Sequence, residues 1–144
     1  MSLSVVLDAN LAVYSVLRTP HSPPAARVLE RLAHAGAQLY APRLWWFEVT
    51  SVIHKNLFAG QISDKVAYIA LNLVTLGLGV QPVDVQARSA FDWATRLRQK
   101  AAYDGFYLAA AEQLGSELWT ADQALVNNAL QVGASWVHWM GEAE

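Results

Sequence analysis

The stretch "AAYDGFYLAAAEQLGSELWTADQAL", residues 101–125, decides the fold. Beyond Asp104, residues 101–115 are apolar on nearly every side, which predicts a central, buried helix. The next segment, "SELWTAD" (116–122), predicts a strand, and "QALVNNALQVG" (123–133) predicts another helix. A strand between two helices is the repeating unit of α/β domains with a parallel sheet.

The rest of the chain repeats this alternation. Strands are predicted at 3–7, 37–42, 78–83, 116–122 and 135–140. Helices are predicted at 11–17, 25–36, 43–60, 64–77, 85–100, 101–115 and 123–133, with Ser63 and Asp84 capping the fourth and fifth. We therefore expect a single α/β/α domain over residues 1–144, with helices covering both faces of a central, mainly parallel five-stranded sheet.

Composition excludes several classes of protein. Of the 144 residues, 54% are hydrophobic and 15% are charged, which argues against disorder. The absence of cysteine excludes disulfides and thiolate metal sites and fits a cytoplasmic protein. We expect no signal peptide, because "MSLSVVLDANLAV" lacks a basic start, and no membrane span, because the apolar stretch 66–80 is too short. A net charge of −2 counts mildly against nucleic-acid binding.

Four acidic residues lie where the predicted structure does not call for a charge. Asp8 ends a buried strand, Glu48 is flanked by apolar residues, Asp104 opens the most apolar helix, and Asp122 ends the strand of "ELWTAD". Asp8 and Asp122 could instead cap the helices that follow them, and Asp104 could complement the positive end of its helix. Glu48 has no such explanation, because an unpaired buried carboxylate is costly.

The predicted topology brings these acids together. Asp8 and Asp122 follow parallel strands, so both should lie at the carboxyl edge of the sheet, and Asp104 begins the helix that leads to the second of those strands. Clustered carboxylates repel one another unless a cation joins them, and oxygen-only ligation favours Mg²⁺ or Mn²⁺. Zinc is disfavoured, because the chain has no cysteine and its histidines have no helical i, i+4 partner. Such a site suits phosphodiester hydrolysis.

The chain resembles the PIN-domain ribonucleases, which include the VapC toxins of bacterial toxin–antitoxin pairs. The resemblance rests on "VVLDAN", "APRLWWFEVTSVIHK", "AGQIS" and "AAYDGFYLAAAEQLGSELWTADQAL", in this order along nearly the whole chain. It implies a PIN-like fold and an endoribonuclease whose metal-binding and catalytic residues hold one or two Mg²⁺ or Mn²⁺ ions. By this resemblance those residues are Asp8, Glu48, Asp104 and Asp122, and Asn10 and Thr120 support them.

Basic residues near the predicted site are candidates for contact with RNA phosphates. Arg98 and Lys100 precede Asp104, and Lys55 lies two helical turns beyond Glu48, on roughly the same face. The alternative is that these are ordinary solvated helix charges.

The adjacent Trp45 and Trp46 cannot both face one core. One of them therefore suggests a surface for a partner. Family members commonly form homodimers and are inhibited by an antitoxin peptide, so the resemblance implies both partners.

Two other functions share features with this sequence. Aspartate-nucleophile phosphatases also begin with a strand that ends in aspartate, but they need a second aspartate where this chain has Asn10. A PIN-like interaction module without catalysis stays open, because the sequence shows the acids and not their activity.

Overall fold

The computed structural model describes residues 3–143. Its five strands are β1 (Ser4–Leu7), β2 (Gln38–Pro42), β3 (Gln81–Val83), β4 (Glu117–Thr120) and β5 (Val137–Trp139). They form one sheet in the order β3-β2-β1-β4-β5, and every neighbouring pair is parallel. The predicted five-stranded parallel sheet is therefore confirmed, and β1 lies at its centre.

In the described part of the chain, seven α-helices connect and cover the strands: α1 (Ala9–Val16), α2 (Ser22–His34), α3 (Leu44–Phe58), α4 (Asp64–Asn72), α5 (Ala87–Arg96), α6 (Tyr103–Leu114) and α7 (Gln123–Gln131). A π-helical turn, Leu73–Gly77, continues α4, and a 3₁₀ turn, Met140–Ala143, follows β5. Helix α6 packs on β1, β2 and β4 and on α5, whereas α1 packs on α2, α3 and β4. Within residues 3–143, no helix is long and apolar enough to span a bilayer.

Consecutive residues of the central strand show that both faces of the sheet are covered. Val5, Val6 and Leu7 are all fully buried, although successive side chains on a strand point to opposite faces. A parallel sheet buried on both faces reads in sequence as a continuous apolar run, which is what "VVL" is. The core therefore lies on both sides of β1, and the first charged residue after it, Asp8, marks the carboxyl edge of the sheet.

Close contact between α5 and α6 depends on one glycine. A Cβ at Gly105 would lie 2.1 Å from the carbonyl oxygen of Ala90 and 3.2 Å from the amide nitrogen of Ala94, both backbone atoms of α5. No larger residue fits there unless the helices separate. The glycine follows Asp104 directly, so the packing that requires it also places that carboxylate at the start of α6.

The predicted N-cap of α5 is wrong. The helix begins at Ala87 with Gln86 at the N-cap position, and Asp84 instead accepts a 2.7 Å hydrogen bond from Arg43 Nε, which lies between β2 and α3. Arg43 is distant from Asp84 in sequence, so a rule based on local helix capping does not predict this pair. The predicted C-terminus of this helix, residue 100, is also too late, because Arg98 adopts a left-handed conformation (φ 56°).

The paired tryptophans differ in burial, but both pack against the same core, so the prediction that they cannot both face one core is wrong. Trp45 is fully buried in the core, Trp46 is partly buried, and their rings meet edge to face with centroids 4.8 Å apart. The next residue, Phe47, is 77% exposed. The start of α3 therefore presents aromatic surface to solvent.

Candidate active site

Asp8 stands at the carboxyl end of the central strand, between β1 and α1. Its backbone is extended, and it occupies the N-cap position of α1, yet its side chain makes no capping hydrogen bond. The alternative that Asp8 serves as a helix cap is therefore wrong. Instead, its Oδ2 accepts a 2.7 Å hydrogen bond from Thr120 Oγ1 at the end of β4.

Thr120 links two of the predicted site acids. It is fully buried, its hydroxyl donates to Asp8, and the same oxygen accepts a hydrogen bond from the backbone N–H of Asp122 at 3.0 Å. A hydroxyl can donate and accept at once, so one side chain orients both the Asp8 carboxylate and the turn after β4. The structure thus places Thr120 against Asp8, where the family resemblance expects it.

Asp122 caps α7, so the alternative that it serves as a helix cap is confirmed. Its Oδ1 accepts a hydrogen bond from the backbone N–H of Leu125 at 3.2 Å, and the residue is exposed. Capping uses one carboxylate oxygen. The cap therefore does not exclude a second role for Asp122 at the sheet edge.

Glu48 lies in the second turn of α3 and is paired with a buried phenol. The hydroxyl of Tyr107, on α6, donates to Glu48 Oε1 at 2.6 Å. Burial, followed by the charges of Asp8 and Glu48, raises the pKa of Tyr107 far above its usual range, so the phenol stays protonated and serves as a donor. Tyr107 was missed from the sequence, although a tyrosine three residues after Asp104 on an apolar helix requires a partner for its hydroxyl.

Asp104, in the first turn of α6, is held by the loop that precedes it. Gln99 Nε2 donates to Asp104 Oδ2 at 2.8 Å. The left-handed conformation of Arg98 ends α5 and is followed directly by Gln99, whose backbone N–H bonds to the carbonyl of Ala94. No sequence pattern singled out Gln99, because its role depends on this turn.

Burial and the charges of neighbouring acids raise the pKa values of three of the four candidate site residues. Burial, and then the neighbouring charges of Asp104 and Glu48, raises the pKa of Asp8 to about 6, partly opposed by the Thr120 hydrogen bond. Burial also raises the pKa of Glu48, with a further contribution from the charge of Asp104, and it raises the pKa of Asp104, with a contribution from the charge of Asp122. The charge of each acid thus acts on at least one other, or is acted on by it. We call Asp8, Glu48, Asp104 and Asp122 the acid cluster.

The donor chemistry of the acid cluster fits a hard divalent cation. All its donors are carboxylate oxygens, and each of the hydrogen bonds described above uses only one oxygen of its carboxylate. Within residues 3–143, no three acidic or histidine side chains converge closely enough, as they stand, to hold one ion. Three are not required, because Mg²⁺ is usually held by one or two carboxylates and keeps several waters.

Within residues 3–143, the remaining predicted residues make no side-chain hydrogen bond to the acid cluster. Asn10 is exposed in the first turn of α1, and within the described chain its side chain has no hydrogen bond to Asp8. Arg98 and Lys100 are exposed in the loop before α6, and Lys55 is exposed near the end of α3. These cations are accessible to a ligand.

The parallel sheet and the acids at its carboxyl edge define the class of protein to which this chain belongs. The PIN domain family model matches residues 5–129, so the chain is a member of the PIN domain family, and the resemblance found in the sequence is confirmed.

Among known proteins, the chain is 31% identical over 126 residues to Ribonuclease VapC12 of Mycobacterium tuberculosis, an alignment that covers 86% of this chain and 91% of that relative.

Solved structures share the fold at low sequence identity. PAE2754 of Pyrobaculum aerophilum matches with a TM-score of 0.70 and 15% identity, covering 99% of this chain and 94% of that one. VapBC2 of Rickettsia felis, solved with a DNA fragment from its promoter, matches with a TM-score of 0.64 and 17% identity, covering 95% and 98%. FitAcB of Neisseria gonorrhoeae matches with a TM-score of 0.64 and 14% identity, covering 93% and 96%. These likenesses support the PIN-like fold.

Proposed function

We propose that this protein is a metal-dependent endoribonuclease that hydrolyses RNA phosphodiester bonds at the acid cluster. The observation that carries the proposal is the electrostatic coupling of Asp8, Glu48, Asp104 and Asp122 at the carboxyl edge of the sheet. Grouped acids with raised pKa values are unfavourable for folding, and such groups concentrate at functional sites. Family membership and the ribonuclease relative support the same assignment.

Asp8, Glu48, Asp104 and Asp122 would hold one or two Mg²⁺ or Mn²⁺ ions. When bound, the cation offsets the charge of the scissile phosphate and favours deprotonation of the attacking water. The chain's own contribution is to orient the carboxylates, through Thr120 on Asp8, Tyr107 on Glu48 and Gln99 on Asp104. Each donor stabilises the ionised form of its carboxylate, which is the form that binds a cation.

Exposed cations beside the cluster would position the RNA. Arg98 and Lys100 lie in the loop that leads into Asp104, and Lys55 lies seven residues beyond Glu48 on α3. Contacts to phosphate are independent of base sequence and weaken with salt. We therefore assign these residues to affinity and not to sequence preference.

We further propose that the protein is the cytoplasmic toxin of a toxin–antitoxin pair and forms a homodimer. Support comes from the resemblance to VapC toxins and from an apolar stripe on α4 and the π-helical turn. The stripe consists of Val66, Ile69, Leu73 and Leu76, which are 44%, 50%, 47% and 77% exposed. Solvent-exposed apolar stripes of this kind mark protein interfaces. A monomer by sedimentation equilibrium would contradict the homodimer.

Cleavage of RNA tests the catalytic proposal. Wild-type protein and the variants Asp8→Asn and Asp104→Asn are incubated with structured RNAs with and without Mg²⁺ or Mn²⁺. We expect metal-dependent cleavage by the wild type and its loss in both variants. Asp92→Asn, an exposed acid of α5, is the matched control and should cleave normally.

Two results would contradict the proposal. Equal activity in Asp8→Asn, Asp104→Asn and wild type would show that the acid cluster is not the catalytic centre. Binding of RNA without cleavage under any of these conditions would instead favour an interaction module.

A further inference from the structure

A small pocket with aromatic walls lies at the N-terminal end of α6, the helix that carries Asp104. Its volume is about 200 Å³, and its walls include Leu44, Val83, Tyr103 and Phe106, with Arg43 and Asp84 at the rim. We call it the Tyr103 pocket. We propose that it receives one nucleobase of the RNA substrate, adjacent to the bond that is cut. This proposal rests on the proposed ribonuclease function, and it identifies a specificity site that the catalytic assignment does not supply.

Position in the fold connects the pocket to the proposed chemistry. Tyr103 precedes Asp104 directly, and Phe106 follows it by two residues, so the pocket and this carboxylate share the first turn of α6. Val83 ends β3, and Leu44 begins α3, which also carries Glu48. The pocket is thus built from residues at the ends of β2 and β3 and at the starts of α3 and α6, on the same edge of the sheet as the acids.

Size and shape favour a single planar ring system. A dry apolar cavity of about 150 Å³ in another protein is large enough to bind benzene. The somewhat larger Tyr103 pocket has room for one base. Tyr103 is 64% exposed, so the face of its ring is accessible for stacking on an unpaired base.

The polar rim supplies hydrogen-bonding groups for the edge of a base. Arg43 uses its Nε to bind Asp84 Oδ1 at 2.7 Å, which leaves the terminal nitrogens of the guanidinium and the second carboxylate oxygen for other partners. The guanidinium donors of Arg43 and the carboxylate acceptor of Asp84 are therefore adjacent, in a pocket whose other lining residues are apolar or aromatic. Sequence-specific recognition of single-stranded RNA uses this combination of stacking and edge contacts. We therefore assign base preference to the Tyr103 pocket and phosphate affinity to the neighbouring lysines and arginine.

The test compares Tyr103→Ala with two other variants. Tyr103→Phe keeps the stacking ring and should restore function. Phe91→Ala removes an aromatic side chain of similar exposure, 66%, from α5 outside the pocket. Each protein is incubated with short single-stranded RNAs of random sequence and the activating metal. The cut ends are sequenced, and rates are measured on the preferred RNA.

Loss of the Tyr103 ring should weaken the binding of RNA and leave the chemical step little changed. We expect Tyr103→Ala to raise KM on the order of tenfold with kcat little changed, and to abolish base preference at one position beside the cut. A merely structural defect would not flatten preference at one position while preserving kcat. Wild-type KM and wild-type preference in Tyr103→Ala would overturn the proposal.

A second measurement separates this proposal from the ribonuclease assignment. The Asp8→Asn variant is mixed with RNA that contains 4-thiouridine and irradiated, and the crosslinked residues are identified by mass spectrometry. Crosslinks at Tyr103 or Phe106 support the pocket even if the wild type cleaves nothing, a result that would refute only the catalytic function. Crosslinks confined to other surfaces, or no RNA binding at all, would overturn the pocket.

Discussion

Replacing Asp8 by asparagine should make the metal-free protein more stable. The folded state raises the pKa of Asp8 from its ordinary value of 3.8 to about 6, chiefly by burial. Between these two pH values, the Asp8 carboxyl is therefore protonated in the folded protein but already ionised in the unfolded chain. The free energy of unfolding must fall as pH rises through this window and stay low above it. An asparagine carries no charge, and its side-chain oxygen can still accept the hydrogen bond from Thr120.

The size of the effect follows from the shift of the pKa. A rise from 3.8 to about 6 corresponds to about 3 kcal/mol of unfavourable free energy at pH 8, at about 1.4 kcal/mol for each unit. At pH 5, where folded Asp8 is mostly protonated, the same linkage leaves about half of this cost. Asp8→Asn should therefore be more stable than wild type by about 3 kcal/mol at pH 8 and by clearly less at pH 5.

Urea denaturation at both pH values, in buffer with a chelator, measures the difference. Asp92→Asn serves as the control for removing a charge and should lie within about 0.5 kcal/mol of wild type. Saturating Mg²⁺ should narrow the gap at pH 8, because it binds the ionised cluster and stabilises the folded wild type by about 2.7 kcal/mol at a hundred times its Kd. An Asp8→Asn variant that is no more stable than wild type at pH 8 would refute the reasoning that the fold holds this carboxylate at a cost.

Three further substitutions test the surroundings of the acids. Tyr107→Phe removes the 2.6 Å hydrogen bond to Glu48 and should lower the free energy of unfolding by about 2 kcal/mol in urea denaturation; an unchanged value would show that water replaces the phenol. Gln99→Ala should raise the pKa of Asp104, because the amide stabilises its ionised form, and a carbon-detected NMR titration that shows no upward shift would contradict this. Gly105→Ala places a Cβ 2.1 Å from a backbone oxygen of α5 and should lower the free energy of unfolding by about 3 kcal/mol in chemical denaturation. An unchanged value would mean that the two helices separate freely.

Local pattern alone determined the order of the elements and the class of the fold. The run "VVL" predicted a strand buried on both faces, and the apolar 101–115 predicted the central helix; both lie where they were predicted. These predictions succeed because periodicity and burial are coupled within a few residues along the chain. The parallel arrangement followed from the alternation of strands and helices, which requires crossover connections.

The sequence also predicts the acids of the candidate site, because charges at the ends of apolar segments conflict with burial. The sequence did not show which of these acids also has a structural role. Asp122 caps a helix, whereas Asp8, in an equivalent position, does not. The Asp8 carboxylate instead accepts a hydrogen bond from Thr120, which is more than a hundred residues away in sequence.

Only the tertiary structure decided the partners of each functional side chain. Tyr107 meets Glu48 across 59 residues, and Arg43 meets Asp84 across 41. These pairs depend on how the helices and strands pack, and sequence periodicity reports only which face of its own element a residue occupies. The sequence by itself determined a parallel sheet and predicted carboxylates at its carboxyl edge. The packing of α3, α5 and α6 around that edge decided which donors hold these carboxylates and formed the aromatic pocket at the start of α6.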